Sequence, residues 1–368
     1  NLPDPEIKKP GTNFNTILYD DGAGAKTGVG FQPDLVWVKS RGSAYDHKLT
    51  DEVRGVTKAL TIDTSAETTD STGLTAFGTD GFTVGADTDY SDTTGTGMVA
   101  WSWKAGGAPT ATNSAGAGAT PTAGSVKIDG SNLGSALAGS NPAKKISAST
   151  TAGFSIVYYE GNLDPYGVQT LAHGLSEAPT LIIIKNLEDA EDWAVGATEF
   201  NASWEYVAWL GATTMPYDTG DGMWYDTAPT ASVFTVGDAA QANSWFEKPY
   251  IAYCFHSVEG YSKVGAYPGN ANANGPFVYT GFRPAYALTK RISGGTGIWM
   301  IKDSARSPYN PAEASLATNN NDAETDEADV DFVSNGFKLR NSGNSMNAAN
   351  PILYLAFAES PFKYANAR

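Results

Sequence analysis

The sequence predicts an all-β protein made of three tandem β-sandwich-like repeats of about 100 residues each. Forty of its 368 residues are glycine, and stretches with helical periodicity are almost absent, which favours strands joined by tight turns. A strand motif also occurs three times, at 33–39, 179–185 and 284–290. Each copy contains a proline, an apolar run, and a lysine at the sixth position after the proline. Repeats of this kind dictate the architecture, because neighbouring copies bury one another's faces.

Two further shared segments set the extent of each repeat. A strand of alternating large and mostly small residues closes each copy, at 99–103, 251–255 and 353–357, and a period of two is typical of a strand with one face on a core. Before it, each copy has a short strand around Phe82, Phe234 or Phe337. The sequence therefore predicts a connector at 1–12, repeat 1 at 13–106, a linker at 107–150, repeat 2 at 151–258, and repeat 3 at 259–368.

The segments between the repeats differ in character. Residues 107–150 are rich in Gly, Ala, Ser, Thr and Pro, which predicts a partly flexible or loosely packed linker with one short strand at 125–128. Repeats 2 and 3 adjoin directly, so a single pseudo-threefold assembly with strands crossing between repeats is an alternative to three separate sandwiches. The best helical candidate is short, at 51–60.

Composition excludes several classes of protein. A formal net charge of -16 argues against nucleic-acid binding, which needs clustered Lys and Arg, and against a polybasic membrane anchor. The longest aliphatic run, 181–184, is far too short to insert into a membrane. The single cysteine excludes an intrachain disulfide framework. No signal peptide is visible at Asn1, so we expect a processed chain or a fragment with more chain upstream.

Residues that could carry catalysis are not arranged for it. Cys254 aligns with Ser102 and Ala356 in the other repeats, which indicates a small packed side chain rather than a reactive thiol. The three histidines, His47, His173 and His256, have no metal-ligand spacing. We therefore predict that the protein is not an enzyme, with no catalytic residues and no metal ligands.

The acidic clusters make calcium a metal that the loops could bind. Residues 87–92, 218–221 and 322–331 are rich in Asp, and calcium takes six to eight oxygen ligands. None of the clusters has EF-hand or glycine-rich calcium-repeat spacing, so solvated loops are the simpler interpretation. We predict no cofactor, with calcium in the acidic loops as the alternative.

Aromatic residues give the candidate binding site. Repeat 2 is enriched in tryptophan, and aromatic side chains either fill a core or form exposed platforms for sugar rings. Glycines and aspartates flank the pair at 224–225, which favours exposure there. We predict a binding surface at Trp204, Tyr206, Trp224 and Tyr225, with core packing as the alternative. The repeated lysines of the motif are expected to cap buried strands and to extend their amines into water.

The strings at 30–39, 281–284 and 332–340 resemble the repeat of a bacteriophage virion family found in marine and cyanobacterial phages. Its members are tail-fibre-like. The opening residues 1–5 and the ending at 361–364 are similar to this family too, so the resemblance covers the whole chain. Repeat 2 departs from the pattern, because Leu175-Ser176-Glu177-Ala178-Pro179 replaces Gly-Phe-x-Pro.

The resemblance implies a structural protein of the virion surface, in the tail or on the capsid, that contributes to host attachment. The implied partners are a host cell-surface glycan or protein and other virion proteins, and fibre proteins imply a homotrimer. Two alternatives stay open. One is a capsid decoration, head fibre or structural spacer without a receptor site, and the other is a glycan depolymerase using paired carboxylates.

Overall fold

The protein is all-β, as the sequence predicts. A computed structural model describes residues 4–20, 22–92, 96–162, 167–243 and 247–365. In these residues the only helical elements are Asn344–Asn347 and the 3₁₀ turns Pro10–Thr12, Gly220–Gly222 and Phe362–Tyr364. The first three residues of the predicted connector and the tryptophan at 245 lie outside the described residues.

Repeat 1 folds into a large sheet and a small one. Its strands are β1 (Phe14–Tyr19), β2 (Gly24–Thr27), β3 (Leu35–Ser40), β4 (Lys48–Asp51), β5 (Lys58–Thr61), β6 (Thr68–Thr69), β7 (Leu74–Gly78), β8 (Gly81–Val84) and β9 (Met98–Trp103). The large sheet has the order β1-β9-β3-β4-β5-β6, and the small sheet has the order β2-β8-β7.

Repeat 2, with the segment before it, forms a nine-stranded sheet and a two-stranded one. Its strands are β10 (Val126–Ile128), β11 (Ser131–Asn132), β12 (Lys145–Ser149), β13 (Phe154–Glu160), β14 (Gln169–Ala172), β15 (Leu181–Asn186), β16 (Ala194–Ala197), β17 (Tyr206–Trp209), β18 (Tyr217–Asp218), β19 (Val233–Val236) and β20 (Pro249–Phe255). The large sheet has the order β11-β10-β12-β13-β20-β15-β16-β17-β18, and β14 pairs with β19.

Repeat 3 forms one eight-stranded sheet. Its strands are β21 (Ser262–Pro268), β22 (Phe277–Tyr279), β23 (Phe282–Arg291), β24 (Trp299–Asp303), β25 (Ala312–Ala317), β26 (Thr325–Val333), β27 (Gly336–Leu339) and β28 (Pro351–Pro361). Their order is β21-β28-β23-β24-β25-β26-β27-β22.

One topology occurs in all three repeats. The opening strand pairs with the closing strand, the closing strand pairs with the motif strand, and two further strands follow by antiparallel pairing: β1-β9-β3-β4-β5, β13-β20-β15-β16-β17 and β21-β28-β23-β24-β25. The three motif strands are β3, β15 and β23, and each lies inside its sheet with both neighbours paired. Their apolar runs are therefore buried on both faces, which explains the absence of a polar alternation.

Each large sheet has an outer face, which packs within its own repeat, and an inner face, which packs against the other repeats. Its outer face packs against the small sheet: Val36 and Val38 of β3 share a core with Phe82 of β8, and Ile182 of β15 shares one with Phe234 of β19. In repeat 3 the strands β22 and β27 cover the corresponding face of the sheet. This two-layer packing makes each repeat sandwich-like.

The inner faces of the three large sheets share one central core. Trp37, Ile183 and Leu288, at equivalent positions of the three motif strands, belong to a single buried cluster with residues of all three repeats. The pseudo-threefold alternative is therefore the better description of how the repeats pack. In the described residues, however, no strand of one β-repeat enters the large sheet of another.

The boundaries between repeats carry equivalent hydrogen bonds. At each boundary, the ring nitrogen of a residue at or just before the strand that follows the motif strand (β4, β16 or β24) bonds to a backbone carbonyl of the neighbouring repeat. That carbonyl lies at the end of the next strand in the shared topology (β5, β17 or β25). The pairs are His47 with Ala317 (3.0 Å), Trp193 with Thr61 (2.7 Å) and Trp299 with Trp209 (2.8 Å). Repeat 1 contacts repeat 3, repeat 2 contacts repeat 1, and repeat 3 contacts repeat 2, so the ring of contacts closes within one chain.

Two sequence predictions are corrected by the fold. Part of the predicted linker at 107–150 belongs to the second large sheet, because β12 pairs with β13 and β10 pairs with β12. Ile146 and Ala148 are fully buried there, so small residues that resemble a flexible linker instead pack closely. The predicted helix at 51–60 is a turn followed by β5, and the Asp51 carboxylate accepts the backbone N–H groups of Val53 (3.1 Å) and Arg54 (2.9 Å).

Candidate functional site

Two residues of the predicted binding surface lie in the core. Trp204 and Trp224 are 2% and 1% exposed, and their rings meet edge to face with centroids 5.3 Å apart. Both rings lie against Gly196, where a Cβ would come within 2.6 Å of them. The prediction of an exposed platform at these two tryptophans is therefore wrong, because a glycine of β16 makes room for them beneath the surface.

The other two predicted residues do not form a site with the tryptophans. Tyr206 is half-buried in β17, where it pairs with Asp218. Tyr225 is 40% exposed in a loop, with a φ of 51°. The four predicted residues thus divide into two core side chains and two partly exposed tyrosines.

The acidic clusters are used within the fold. In the first cluster, Oδ1 of Asp89 accepts the backbone N–H of Asp46 (2.9 Å), and its Oδ2 pairs with Lys48 (3.1 Å). In the last cluster, Glu324 forms ion pairs with Arg41 (2.8 Å) and Arg306 (3.1 Å). Within the described residues, no group of three His, Cys, Asp or Glu side chains is placed to hold a metal ion.

The repeated lysines are buried rather than solvated. Lys39, Lys185 and Lys290 each have no exposed area, and their amines donate to backbone carbonyls, as Lys290 does to Gly297 (2.6 Å) and Ala212 (3.0 Å). Burial lowers the pKa of Lys290 to about 7 and the pKa values of Lys39 and Lys185 to about 8. The expectation that these amines reach water is wrong, because loop carbonyls enclose each strand end.

Exposed aromatic side chains occur instead on β22 of repeat 3. Phe277 is 48% exposed and Tyr279 is 55% exposed, while Val278 between them is buried in the core of the repeat. Alternation along the strand places the two aromatic rings on one outward face. Two large rings therefore stand side by side on the surface.

The equivalent strands of the other repeats have small residues at these positions. Tyr279 pairs with Gly336 in β27, just as Thr27 pairs with Gly81 and Ala172 pairs with Val233. By the same register, Phe277 corresponds to Ala25 and Thr170. The fold is thus built twice without aromatic side chains on this strand, so the shared topology does not require the rings of repeat 3.

Tyr279 borders a surface cleft of about 300 Å³, which we call the terminal cleft. The cleft lies where residues near both ends of the chain meet. It is lined by Asp4, Pro5, Glu6, Glu259, Gly260, Tyr279, Gly281, Pro361, Phe362 and Lys363. The ring of Phe362 is 38% exposed, so two aromatic side chains and several charged groups converge on one concave surface.

Basic side chains beside the cleft are engaged. Lys263 donates to the carbonyl of Tyr279 (3.0 Å) and lies 5.4 Å from the centroid of its ring. Lys363 and Lys8 (3.1 Å) both bond to Asp4, which also accepts the hydroxyl of Tyr364 (3.1 Å). Hydrogen bonds from the two lysines hold the pKa of Asp4 well below its usual range.

Glu6 and Glu259 are different, because these exposed carboxylates make no hydrogen bond or ion pair to another described residue. Carboxylates and aromatic rings on one surface are groups that recognise hydroxyls, amines and the apolar faces of sugars. The terminal cleft therefore brings together carboxylates that can accept hydrogen bonds and aromatic rings on which an apolar surface can stack.

A larger cleft of about 510 Å³ is less suitable. It is bordered by Asp34, whose buried carboxylate accepts the backbone N–H of Ala105 at 2.6 Å. Burial raises the pKa of Asp34 to about 6. Its lining consists of polar side chains, Ala105 and glycines, with no aromatic ring, so a sugar would find no surface on which to stack.

Sequence reasoning missed Phe277 and Tyr279, although a signal was present. The alignment of Gly81 with Gly336 could have been extended to the preceding strands. There, Phe277 and Tyr279 of repeat 3 align with the small residues Ala25 and Thr27 of repeat 1. The count of tryptophans pointed to repeat 2 instead.

No helix in the described part of the chain is long and apolar enough to span a membrane.

Comparison with known proteins identifies the family. Residues 9–361 match the family described as Domain of unknown function (DUF7483), and the chain belongs to this family. Neither the search of curated proteins nor the search of solved structures found a match.

Proposed function

We propose that this member of the DUF7483 family is a bacteriophage virion surface protein that attaches to a host cell-surface glycan through the terminal cleft. The observation that carries the proposal is the pair of exposed rings, Phe277 and Tyr279, on a strand whose equivalents in the other repeats have small residues. Of the two, Tyr279 lines the cleft, and Phe277 lies two residues before it on the same face of the strand. The resemblance of the repeats to a virion family supplies the location, in the tail or on the capsid, among other virion proteins.

The physical case for a glycan rests on the shape and chemistry of the cleft. A sugar ring has an apolar face that stacks on an aromatic side chain and a rim of hydroxyls that donate to carboxylates. The cleft offers Tyr279 and Phe362 for the first contact and Glu6 and Glu259 for the second. Exposed aromatic side chains in a cleft mark binding surfaces more often than isolated apolar residues do.

Binding to host polysaccharide or to a glycan array tests the proposal. The test variant replaces both rings by the residues of repeat 1, Phe277→Ala with Tyr279→Thr, which the fold already accepts in the equivalent strand. We expect binding to fall at least tenfold while stability is retained. Tyr309→Ala is the matched control, because Tyr309 is 81% exposed and does not line the cleft.

Four outcomes would contradict the proposal. Unchanged binding by the double variant would exclude the terminal cleft as the site. Binding to host protein alone, with none to glycans, would replace the glycan by a protein receptor, and no binding at all would favour a structural spacer. Release of reducing sugar from host polysaccharide would indicate a depolymerase instead.

A further inference from the structure

We infer that the free edge of β2 in repeat 1 binds an extended segment of a partner protein by strand addition. The segment lies antiparallel to β2 and has a glycine where it crosses the strand, followed by small polar residues. This interaction goes beyond glycan attachment and is independent of it, because no residue of β2 lines the terminal cleft. The same edge is covered by the chain itself in repeat 2.

In repeat 2 a segment of the preceding chain covers the edge of β14. Residues 139–141 run alongside this strand and pair antiparallel with it through a bridge to Leu171. The backbone N–H of Asn141 donates to the carbonyl of Thr170 (3.1 Å), and the N–H of Thr170 donates to Oγ of Ser140 (3.0 Å). Strand addition at this edge is therefore already part of the fold, and its occupant has a known sequence.

The covering segment contains glycine for a steric reason. A Cβ on Gly139 would come within 2.5 Å of the carbonyl oxygen of Thr170, and the φ of Gly139 is 98°. Glycine alone combines this close approach with a left-handed backbone. The sequence Gly-Ser-Asn thus defines the kind of segment that the edge accepts.

The corresponding strand of repeat 1 has equally small residues at its edge. Ala25 and Thr27 of β2 occupy the positions of Thr170 and Ala172 in β14. Ala172 is buried, whereas Ala25 and Thr27 are exposed. A segment like 139–141 would therefore meet no side chain larger than threonine at these two positions of β2.

The backbone groups of Ala25 and Thr27 point away from β8. The carbonyl of Lys26 faces β8, because a Cβ on Gly81 of that strand would lie 2.0 Å from its oxygen. In an antiparallel pair, successive residues direct their N–H and C=O groups to opposite sides. Ala25 and Thr27 thus present theirs to the free edge, where no other described residue bonds to them.

Repeat 3 protects the same edge with a side chain. Tyr279, at the position of Thr27, accepts the amine of Lys263 on its carbonyl (3.0 Å), and lysine at a strand edge hinders pairing with another strand. Asn15 is the equivalent of Lys263 in repeat 1, but its Nδ2 donates to the carbonyl of Val29 (3.0 Å), past the end of β2. Among the described residues, β2 therefore has neither the covering segment of repeat 2 nor the lysine of repeat 3, and main-chain groups on such an edge bind extended peptides.

A synthetic peptide of residues 133–144, added to the full chain, tests this inference. We expect it to bind with a Kd of about 1 mM or below. At saturation it should slow hydrogen exchange of the Ala25 and Thr27 amides at least tenfold, while the Thr170 amide, which is already bonded, should not change. The control peptide carries Gly139→Val and should bind at least tenfold more weakly, because its Cβ would collide with a carbonyl of the edge.

Ala25→Pro in the full chain should abolish binding, since it removes an N–H that points to the free edge and leaves the ladder to β8 intact. If this variant does not fold, the exchange rates in the wild type decide. Unchanged exchange at Ala25 and Thr27, or equal binding of both peptides, would overturn the inference whether or not glycans bind.

Two further results would assign the edge differently and would also overturn the inference. Slower exchange at Ala25 and Thr27 with rising protein concentration, in the absence of peptide, would show that a second copy of the chain pairs with β2. Slower exchange at Phe277 alone on adding the peptide would place docking on β22.

Discussion

The hydroxyl of Tyr253 donates a hydrogen bond to Oδ2 of Asp51 at 2.8 Å, and this bond joins repeat 2 to repeat 1. The indole nitrogen of Trp101 makes the equivalent bond to Asp303 at 3.1 Å and joins repeat 1 to repeat 3. All four side chains are buried. These two bonds between side chains of different repeats thus lie at the same place in the shared topology.

At the third boundary both partners are apolar. Strand register makes Leu355 the equivalent of Tyr253 and Ala197 the equivalent of Asp51, and both belong to the central core. Donor and acceptor are therefore present together or absent together. A buried polar group without a partner would cost about 1–3 kcal/mol, which explains why the two positions are matched.

We expect the removal of either partner of the Tyr253–Asp51 bond to destabilise the chain by different amounts. Tyr253→Phe should cost about 1–2 kcal/mol, since Asp51 still accepts from Arg54 at 2.6 Å. Asp51→Ala should cost roughly 3–5 kcal/mol because it leaves the buried Arg54 guanidinium without its main partner. Urea unfolding measures both values.

Glu188→Gln is the control for these variants, because Glu188 forms an exposed ion pair with Lys248 at 3.2 Å. Surface pairs contribute about 0–1 kcal/mol. Equal losses for Tyr253→Phe and Glu188→Gln would show that the bond between the repeats does not stabilise the core.

The buried lysines predict a pH dependence of stability. Burial lowers the pKa of Lys290 to about 7, whereas an unfolded lysine has a pKa of about 10.4. Between these values the unfolded chain holds a proton that the folded chain has lost, so the free energy of unfolding rises with pH. Lys290→Met should make this rise shallower by up to about 1.4 kcal/mol per pH unit.

Unfolding midpoints between pH 7 and 9.5 measure the slope for the wild type and the variant. Lys9→Met is the matched control, since Lys9 is exposed and should leave the slope unchanged. An identical slope in Lys290→Met would show that the Lys290 amine keeps its proton in the folded protein at these pH values.

The structural features that the sequence predicted correctly are mainly those that recur in the three repeats. The all-β class and the recurrence of the motif strands followed from spacing, and Cys254 is fully buried, as its alignment with Ser102 and Ala356 indicated. The solvent exposure of the tryptophan side chains was harder to predict, because it depends on packing against residues that are distant in the chain. Trp224 is buried since Gly196 leaves room for its ring, and neither local composition nor period contains that information.

His47 should remain neutral in the folded protein well into the acidic range. The indole of Trp37 donates to its Nδ1 at 3.0 Å, so its proton resides on Nε2, which bonds to the carbonyl of Ala317 at 3.0 Å. Burial lowers the pKa of His47 to about 3. ¹⁵N NMR should show the Nε2–H tautomer down to about pH 4, where an exposed histidine would be protonated.

Stability should decline with acid for the same reason. Below about pH 6.5 the unfolded chain binds a proton at this histidine that the folded chain lacks, so the free energy of unfolding falls as the pH drops towards 3. An imidazole at position 47 that titrates near pH 6.5 would contradict its enclosure between the two repeats.

The closed ring of repeats predicts a monomer, in place of the homotrimer implied by resemblance to fibre proteins. Each inner sheet face is already covered by the other two repeats, so a trimer of chains has no threefold core left to fill. Light scattering should give the mass of one chain, 38.7 kDa, at every concentration of a dilution series. A stable mass three times larger would show that the outer faces associate and that fibre-like assembly persists despite the internal ring.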